Sequence, residues 1–150
     1  MKKMTVISIL FFSIFLLNCC NANRTSIPDI YVRLEFYLTS APELYGFNGF
    51  KEFVVSQHTS QYLGYGGILV FHTVEDKFCA FDMSCPYEVK RDVRVHCDNA
   101  GIARCDSCKS EFYVGDGFAF PINSNSKTKF PLKRYSVYYN AALGSIFVTN

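Results

Sequence analysis

The sequence predicts an all-β domain, either an antiparallel sandwich or a partly open barrel. Short apolar runs alternate with turns rich in Gly, Pro, Asn and Asp throughout residues 28–150, as expected for strands joined by tight connections. Aromatic residues form 17% of the chain, with 15 Phe and 10 Tyr, and such side chains favour packing across strands. No amphipathic pattern of ten or more residues indicates a long helix.

The first strand is predicted where apolar and polar residues alternate. Ile30, Val32, Leu34, Phe36 and Leu38 share one face, with charged residues between them, which is the pattern of a half-buried strand. Further strands are predicted at 51–57, 68–74, 77–83, 93–97, 101–105, 111–114, 132–140 and 145–150, with loops at 40–50 and 58–67 and a hairpin turn at 98–101.

The N-terminus has the pattern of a secretory signal. Lys2 and Lys3 precede the apolar run 5–17, which suits a signal core but is too short to cross a bilayer comfortably. Cysteines follow directly, an arrangement that resembles the lipobox of bacterial lipoproteins. Cys20 is then the acylated residue and Cys19 the less suitable alternative. An ordinary cleavable signal is the other interpretation.

These features divide the chain into a lipoprotein signal at 1–19, a polar tether at 20–27 and one domain at 28–150. They predict a bacterial envelope protein, held to a membrane by its N-terminal lipid and facing the periplasm or the cell surface. Loss of Lys2 and Lys3 reduces 15 basic residues to 13, equal to the 13 acidic ones. No excess of positive charge is left for binding nucleic acid.

Four of the seven cysteines lie within residues 85–108. This stretch opens with a Cys-Pro-Tyr segment at 85–87 and closes with a Cys-x-x-Cys segment at 105–108, with seventeen residues between them. An Ala-Phe-Asp strand end precedes it, and a Ser-Glu-Phe segment at 110–112 and two closing strands follow. In this order the segments resemble a Rieske-type iron–sulfur domain over roughly residues 66–150.

The resemblance implies a Rieske-like fold with a small cluster-binding subdomain and a 2Fe-2S cluster. It makes Cys85 and Cys105 cluster ligands and places Tyr87 and Cys108 where the family has its two histidines. Ser110 stands at the position of the cluster-supporting serine. Three thiolates are therefore retained, while both histidine ligands are replaced.

The sequence leaves the identity of the fourth ligand undecided among three residues. A phenol such as Tyr87 must lose a proton with a pKa of about 10 to bind well, and the carboxylate of the adjacent Glu88 is a harder ligand. Cys97 would complete a four-cysteine set. The predicted hairpin places it opposite Ile102, on the order of 10 Å along the strand from Cys105, so Cys97 is expected to be a buried apolar thiol.

Zinc and a metal-free domain are the alternatives to an iron–sulfur cluster. Disulfides persist outside the cytoplasm, but five cysteines remain after the acylated one, an odd number. In a metal-free domain Cys105 would pair with Cys108, or Cys85 with one of them. Cys79 is expected in the core or in a disulfide with Cys97.

The site predicts either an electron carrier or a binding protein. With a cluster, the protein would pass single electrons to a redox partner, and thiolate in place of histidine would lower the potential. Without redox chemistry, it would be a structural or binding lipoprotein. An enzyme is not expected, because no paired carboxylates or Ser-His-Asp arrangement stand out. The separate catalytic domain of Rieske oxygenases would not fit in this length.

Overall fold

The structure is a computed structural model that describes residues 26–124 and 126–150. The predicted signal at 1–19, Cys20 with its alternative Cys19, and most of the predicted tether lie outside these ranges. The strands are β1 (Val32–Tyr37), β2 (Phe50–Phe53), β3 (Tyr62–Leu63), β4 (Ile68–His72), β5 (Phe78–Asp82), β6 (Val95–Cys97), β7 (Ile102–Cys105), β8 (Glu111–Tyr113), β9 (Arg134–Asn140) and β10 (Ser145–Thr149). Two single-turn 3-10 helices, Leu38–Ser40 and Pro42–Leu44, follow β1. Among the described residues, no helix has the length and apolar character needed to cross a membrane.

Seven strands form one antiparallel sheet that curls into a nearly closed barrel, in the order β2-β4-β5-β9-β10-β1-β3. Phe36 of β1 and Phe53 of β2 pack with ring centroids 4.8 Å apart, so the end strand β2 contacts the strand next to the other end, β1, inside the barrel. The remaining strands form a small second sheet. The prediction of an all-β fold with a partly open barrel and a small separate subdomain is confirmed.

Each predicted strand overlaps an observed strand, although the observed ones are shorter, and β2 begins one residue before its predicted start, at Phe50. The alternating burial of β1 matches its sequence pattern. β3 is the one strand that the sequence does not predict. It lies in the predicted loop at 58–67, and a two-residue strand is too short to display alternation.

The central strands β4 and β5 are buried on both faces. On one face Ile68, Val70 and Ala80 belong to the core inside the barrel. On the other face Leu69 and Phe81 belong to a second core, which the small sheet completes. β4 is therefore a continuous apolar run rather than an alternating one. The second core is the surface on which the cysteine-rich region is built.

The small sheet consists of β6, β7 and β8 in that order. Cys97 pairs with Ala103, so the prediction that it lies opposite Ile102 is wrong by one residue. The turn explains the difference. The Asp98 N–H donates to the Ile102 carbonyl at 3.0 Å, and the Asp98 carboxylate accepts the Ile102 N–H at 3.0 Å. Asp98 and Ile102 thus face each other, which shifts the register.

A buried carboxylate, Asp82 at the end of β5, joins the barrel to the start of the cysteine-rich region. Its Oδ1 accepts the N–H groups of Gly66 at 3.0 Å and Ser84 at 2.8 Å. Its Oδ2 accepts the Tyr65 N–H at 2.9 Å and the Tyr135 hydroxyl at 2.6 Å. Burial, followed by the Asp82 charge, raises the pKa of Tyr135 far above its ordinary value, so the phenol remains a donor.

Glycine is required at two positions around this carboxylate. A Cβ on Gly66 would lie 2.5 Å from the Ser84 nitrogen, and one on Gly64, whose φ is +69°, would lie 2.4 Å from the Tyr135 hydroxyl. Arg94 donates through Nε to the Gly66 carbonyl at 2.6 Å. The glycine-rich loop at 64–67 therefore binds both Asp82 and Arg94, which lies at the end of the segment that begins with Cys85.

Asp82→Ala is expected to lower the free energy of unfolding by at least about 3 kcal/mol, because three backbone N–H groups, two of them buried, lose their acceptor. Tyr135→Phe removes only one bond to the charge and is expected to cost about 1.5–3 kcal/mol. Urea unfolding of the two variants and the wild type measures both values. Equal losses in the two variants would contradict a carboxylate that acts mainly through the backbone.

Candidate metal centre

Three thiols converge at the edge of the second core. The sulfurs of Cys85, Cys105 and Cys108 all lie within 4.8 Å of one another, and Cys85 Sγ is 3.6 Å from Cys108 Sγ. Cys85 and Cys105 are fully buried, whereas Cys108 is partly exposed. The three cysteines that the sequence places at one site are thus brought together.

The first candidate ligand loop, residues 85–89, leaves the barrel directly after β5. Cys85 follows the bridge between Ser84 and Arg94, which closes the loop at its base. The Cys85 carbonyl accepts the Val89 N–H at 2.9 Å. Burial raises the pKa of Cys85, and backbone hydrogen bonds from Glu88 and Tyr87 to its thiol oppose that rise.

The second ligand loop begins at the end of β7. The Cys105 carbonyl accepts the Lys109 N–H at 3.1 Å, and the Cys105 N–H donates to the Ser110 carbonyl at 3.0 Å. Backbone hydrogen bonds from Cys108 and Ser107 reach the Cys105 thiol. In each of the two loops, backbone N–H groups of the loop therefore donate hydrogen bonds to the thiol of its first cysteine.

The three thiols differ in acidity. Burial raises the pKa of Cys85 to about 12 and also raises that of Cys105. Burial acts in the same direction on Cys108, but hydrogen bonds from Ser110 and from the two neighbouring cysteines outweigh it and lower the pKa of Cys108 below its ordinary value. Of the five described cysteines, Cys108 is the one with a lowered pKa, so we expect it to ionise first in the metal-free protein.

Ser110, the predicted cluster-supporting residue, lies beside Cys108. It is fully buried, and its hydroxyl oxygen lies 3.2 Å from Cys108 Sγ. The same oxygen accepts the Lys127 N–H at 3.0 Å. The protonated Cys108 thiol donates to this oxygen, whereas a thiolate at Cys108 would accept the hydroxyl proton instead.

The other predicted residues lie outside this group. Tyr87 is on the first loop with its side chain 53% exposed. Cys97 is half-buried at the edge of the second core, and its thiol donates to the Asp98 carbonyl at 3.4 Å. Burial raises the pKa of Cys97 to about 12. Cys79 is buried in the second core.

All five cysteines in the described part of the chain are free thiols. The predicted disulfide between Cys79 and Cys97 is therefore not present in the structure, and the trio is not cross-linked either. Cys79 lies on β5 and Cys97 at the end of β6. The expectation that Cys79 belongs to the core holds.

The support beneath the thiols is the part of the site that motif reasoning does not find. Asp82 and Arg94 position the first loop through the backbone of the glycine-rich loop at 64–67. The close glycine spacing in Leu-Gly-Tyr-Gly-Gly is the one sequence signal for it, since glycine allows close backbone approach.

No protein-family profile, curated protein or solved structure matches the chain. The chemistry of the site consequently has to be argued from its own geometry. Thiolates are ligands for zinc and for iron. With Zn–S bonds near 2.3 Å, two sulfurs of a tetrahedral site lie about 3.8 Å apart. The 3.6 Å between Cys85 and Cys108 fits that edge.

In reduced, metal-free protein, Cys108 is expected to be alkylated before the other four described cysteines, because it combines partial exposure with a lowered pKa. Its rate should fall only when the pH drops through that lowered pKa. Cys97 is a matched control within the same molecule, because it is also half-buried but has a raised pKa. Time-resolved mass spectrometry of iodoacetamide-treated protein measures the order.

Ser110→Ala is expected to shift the pH profile of Cys108 alkylation to higher pH, because the thiolate loses its hydroxyl donor. Ser136→Ala, on an exposed position of β9, is the control and should leave the profile unchanged. An unshifted profile in Ser110→Ala would show that the serine does not support the thiolate.

Proposed function

We propose that the chain is an exported, lipid-anchored β-barrel domain whose Cys85, Cys105 and Cys108 hold one tetrahedral metal ion, with zinc as the ion. The observation that carries this proposal is the spread of the three sulfurs, which lie within 4.8 Å of one another. Tetrahedral zinc with sulfur ligands matches this spread. The signal pattern at 1–19 and Cys20 support export and lipid attachment.

A single ion fits better than the two-iron cluster that the family resemblance implies. In a Rieske-type arrangement Cys85 and Cys105 bind one iron, while Tyr87 and Cys108 would bind the other. Cys108 would then have to stand apart from Cys85. Instead, the sulfurs of Cys85 and Cys108 are 3.6 Å apart, as ligands of one ion are.

The role of such an ion is to join two parts of the fold. Cys85 follows the barrel strand β5, whereas Cys105 ends β7 of the small sheet and Cys108 lies in the loop between β7 and β8. Structural zinc sites contribute directly to the folding free energy. The ion would therefore clamp the small sheet to the barrel, in the class of structural or binding proteins.

Electron transfer is the second candidate function. The backbone N–H groups of Tyr87 and Glu88 point to Cys85, and those of Ser107 and Cys108 involve Cys105. Hydrogen bonds to coordinating sulfurs tune the potential of iron sites. With iron in place of zinc, the same three thiolates would serve a one-electron carrier and its redox partner.

Metal analysis of the full chain, purified in detergent under anaerobic conditions, tests these alternatives. We expect one zinc per chain and no acid-labile sulfide. Two irons with two sulfides per chain would establish the cluster and the electron carrier instead. Absence of any bound metal, together with a disulfide inside the trio by mass spectrometry, would overturn the metal site.

Cys105→Ser is expected to abolish zinc binding and to lower the thermal unfolding midpoint, because the ion loses a ligand and the small sheet loses its clamp. Cys97→Ser is the matched control. It replaces a half-buried cysteine of the same sheet that lies outside the trio, and it should retain one zinc. Calorimetry with metal analysis measures both. Equal zinc content in the two variants would contradict the assignment.

A further inference from the structure

The two ligand loops have the same backbone construction. In loop 85–89 the carbonyl of the first residue accepts the N–H of the fifth at 2.9 Å, and in loop 105–109 the corresponding bond is 3.1 Å. In both loops the third and fourth residues send backbone hydrogen bonds to the thiol of the first. The fifth residue has a positive φ in each, 51° at Val89 and 60° at Lys109.

The fifth residue of the first loop, Val89, is unfavourable for this backbone conformation. A β-branched residue at positive φ is rare and strained, yet Val89 is held there. Its carbonyl accepts the Tyr65 hydroxyl at 3.2 Å, and the Ser84 hydroxyl donates to the Lys90 carbonyl at 2.8 Å. The first loop thus has the same conformation as the second, although neither loop has a glycine at its fifth position.

The equivalence of the loops assigns a partner to each position. Cys85 corresponds to Cys105, the two first residues. Cys108, the fourth residue of its loop, contributes the third sulfur of the trio, and its counterpart is Glu88. The third residues, Tyr87 and Ser107, correspond to each other.

The carboxylate of Glu88 already reaches towards the second loop. Ser107 donates from its hydroxyl to Glu88 Oε1 at 2.8 Å, one residue before Cys108. Glu88 is half-buried. Within the described part of the chain this hydroxyl is the one hydrogen-bond partner of the Glu88 carboxylate, and the bond is exposed. A glutamate oxygen is an accepted zinc ligand at about 2.0–2.2 Å.

From this equivalence we propose that Glu88 is the fourth ligand of the metal ion, which gives a site of three thiolates and one carboxylate. The inference rests on the proposed metal site and deepens it. The Glu88 side chain turns from the Ser107 hydroxyl to the ion, while the three sulfurs keep their places. The family resemblance assigns the fourth position to Tyr87. In the comparison of the two loops, however, Tyr87 corresponds to Ser107, which is not a ligand, and its side chain is exposed.

The test uses zinc and cobalt(II) with the full chain in detergent. Glu88→Ala is expected to weaken zinc binding at least about 10- to 100-fold in competition with a chromophoric chelator. Glu88→Cys is expected to restore it and to raise the sulfur-to-cobalt charge-transfer absorption by about a third, because four thiolates replace three. Tyr87→Phe is expected to leave both readouts unchanged.

Two controls separate ligation from loop stability. Ser107→Ala removes the hydrogen bond but leaves the ligand, so zinc affinity should be retained or increased. Glu52→Ala removes a carboxylate that binds the small sheet through the Cys97 N–H at 3.0 Å, far in sequence from the trio, and should leave affinity unchanged.

The outcomes distinguish the two proposals. If the wild type binds cobalt through three thiolates and Glu88→Ala binds zinc equally well, the fourth-ligand inference is overturned while the metal site stands. An equal loss in Tyr87→Phe, or unchanged charge-transfer absorption in Glu88→Cys, would overturn it as well. If the wild type binds neither zinc nor cobalt, both proposals fail together.

Discussion

Four hydrogen bonds converge on the buried carboxylate of Asp82, and the barrel and the cysteine site both depend on them. Two of the donors belong to the glycine-rich loop at 64–67, one is the Ser84 N–H and one is the Tyr135 hydroxyl on β9. A charge without water must be surrounded by donors. The chain therefore has little freedom at the point where β5 ends, and Cys85 emerges there in a defined direction.

The second constraint is the double burial of β4 and β5. One face completes the barrel interior and the other carries the small sheet. The buried thiols Cys85 and Cys105 lie within this second core, where burial keeps them protonated unless a metal ion replaces the proton. Cys108, at the rim, has a lowered pKa. The arrangement suits a site that binds metal at its exposed side while its deeper ligands stay sheltered from oxidation.

The strands and the cysteine trio could be predicted because both leave local signals. Alternation marks β1, and the spacing of Cys85 from the Cys-x-x-Cys segment marks two facing loops. The register of Cys97 could not be predicted, because Asp98 sets it through a turn that the hairpin pattern leaves open. The correspondence of Glu88 with Cys108 is also invisible in the sequence, since it arises from two loops adopting one conformation on different residues.

The division of the site between two sheets has a consequence for local unfolding. The small sheet has three short strands and few ladder hydrogen bonds of its own, so we expect it to open before the barrel in hydrogen exchange. An ion bound across the two ligand loops would forbid that opening without altering the barrel. Loss of the metal ion would then unfold the small sheet as one cooperative unit and leave the barrel folded.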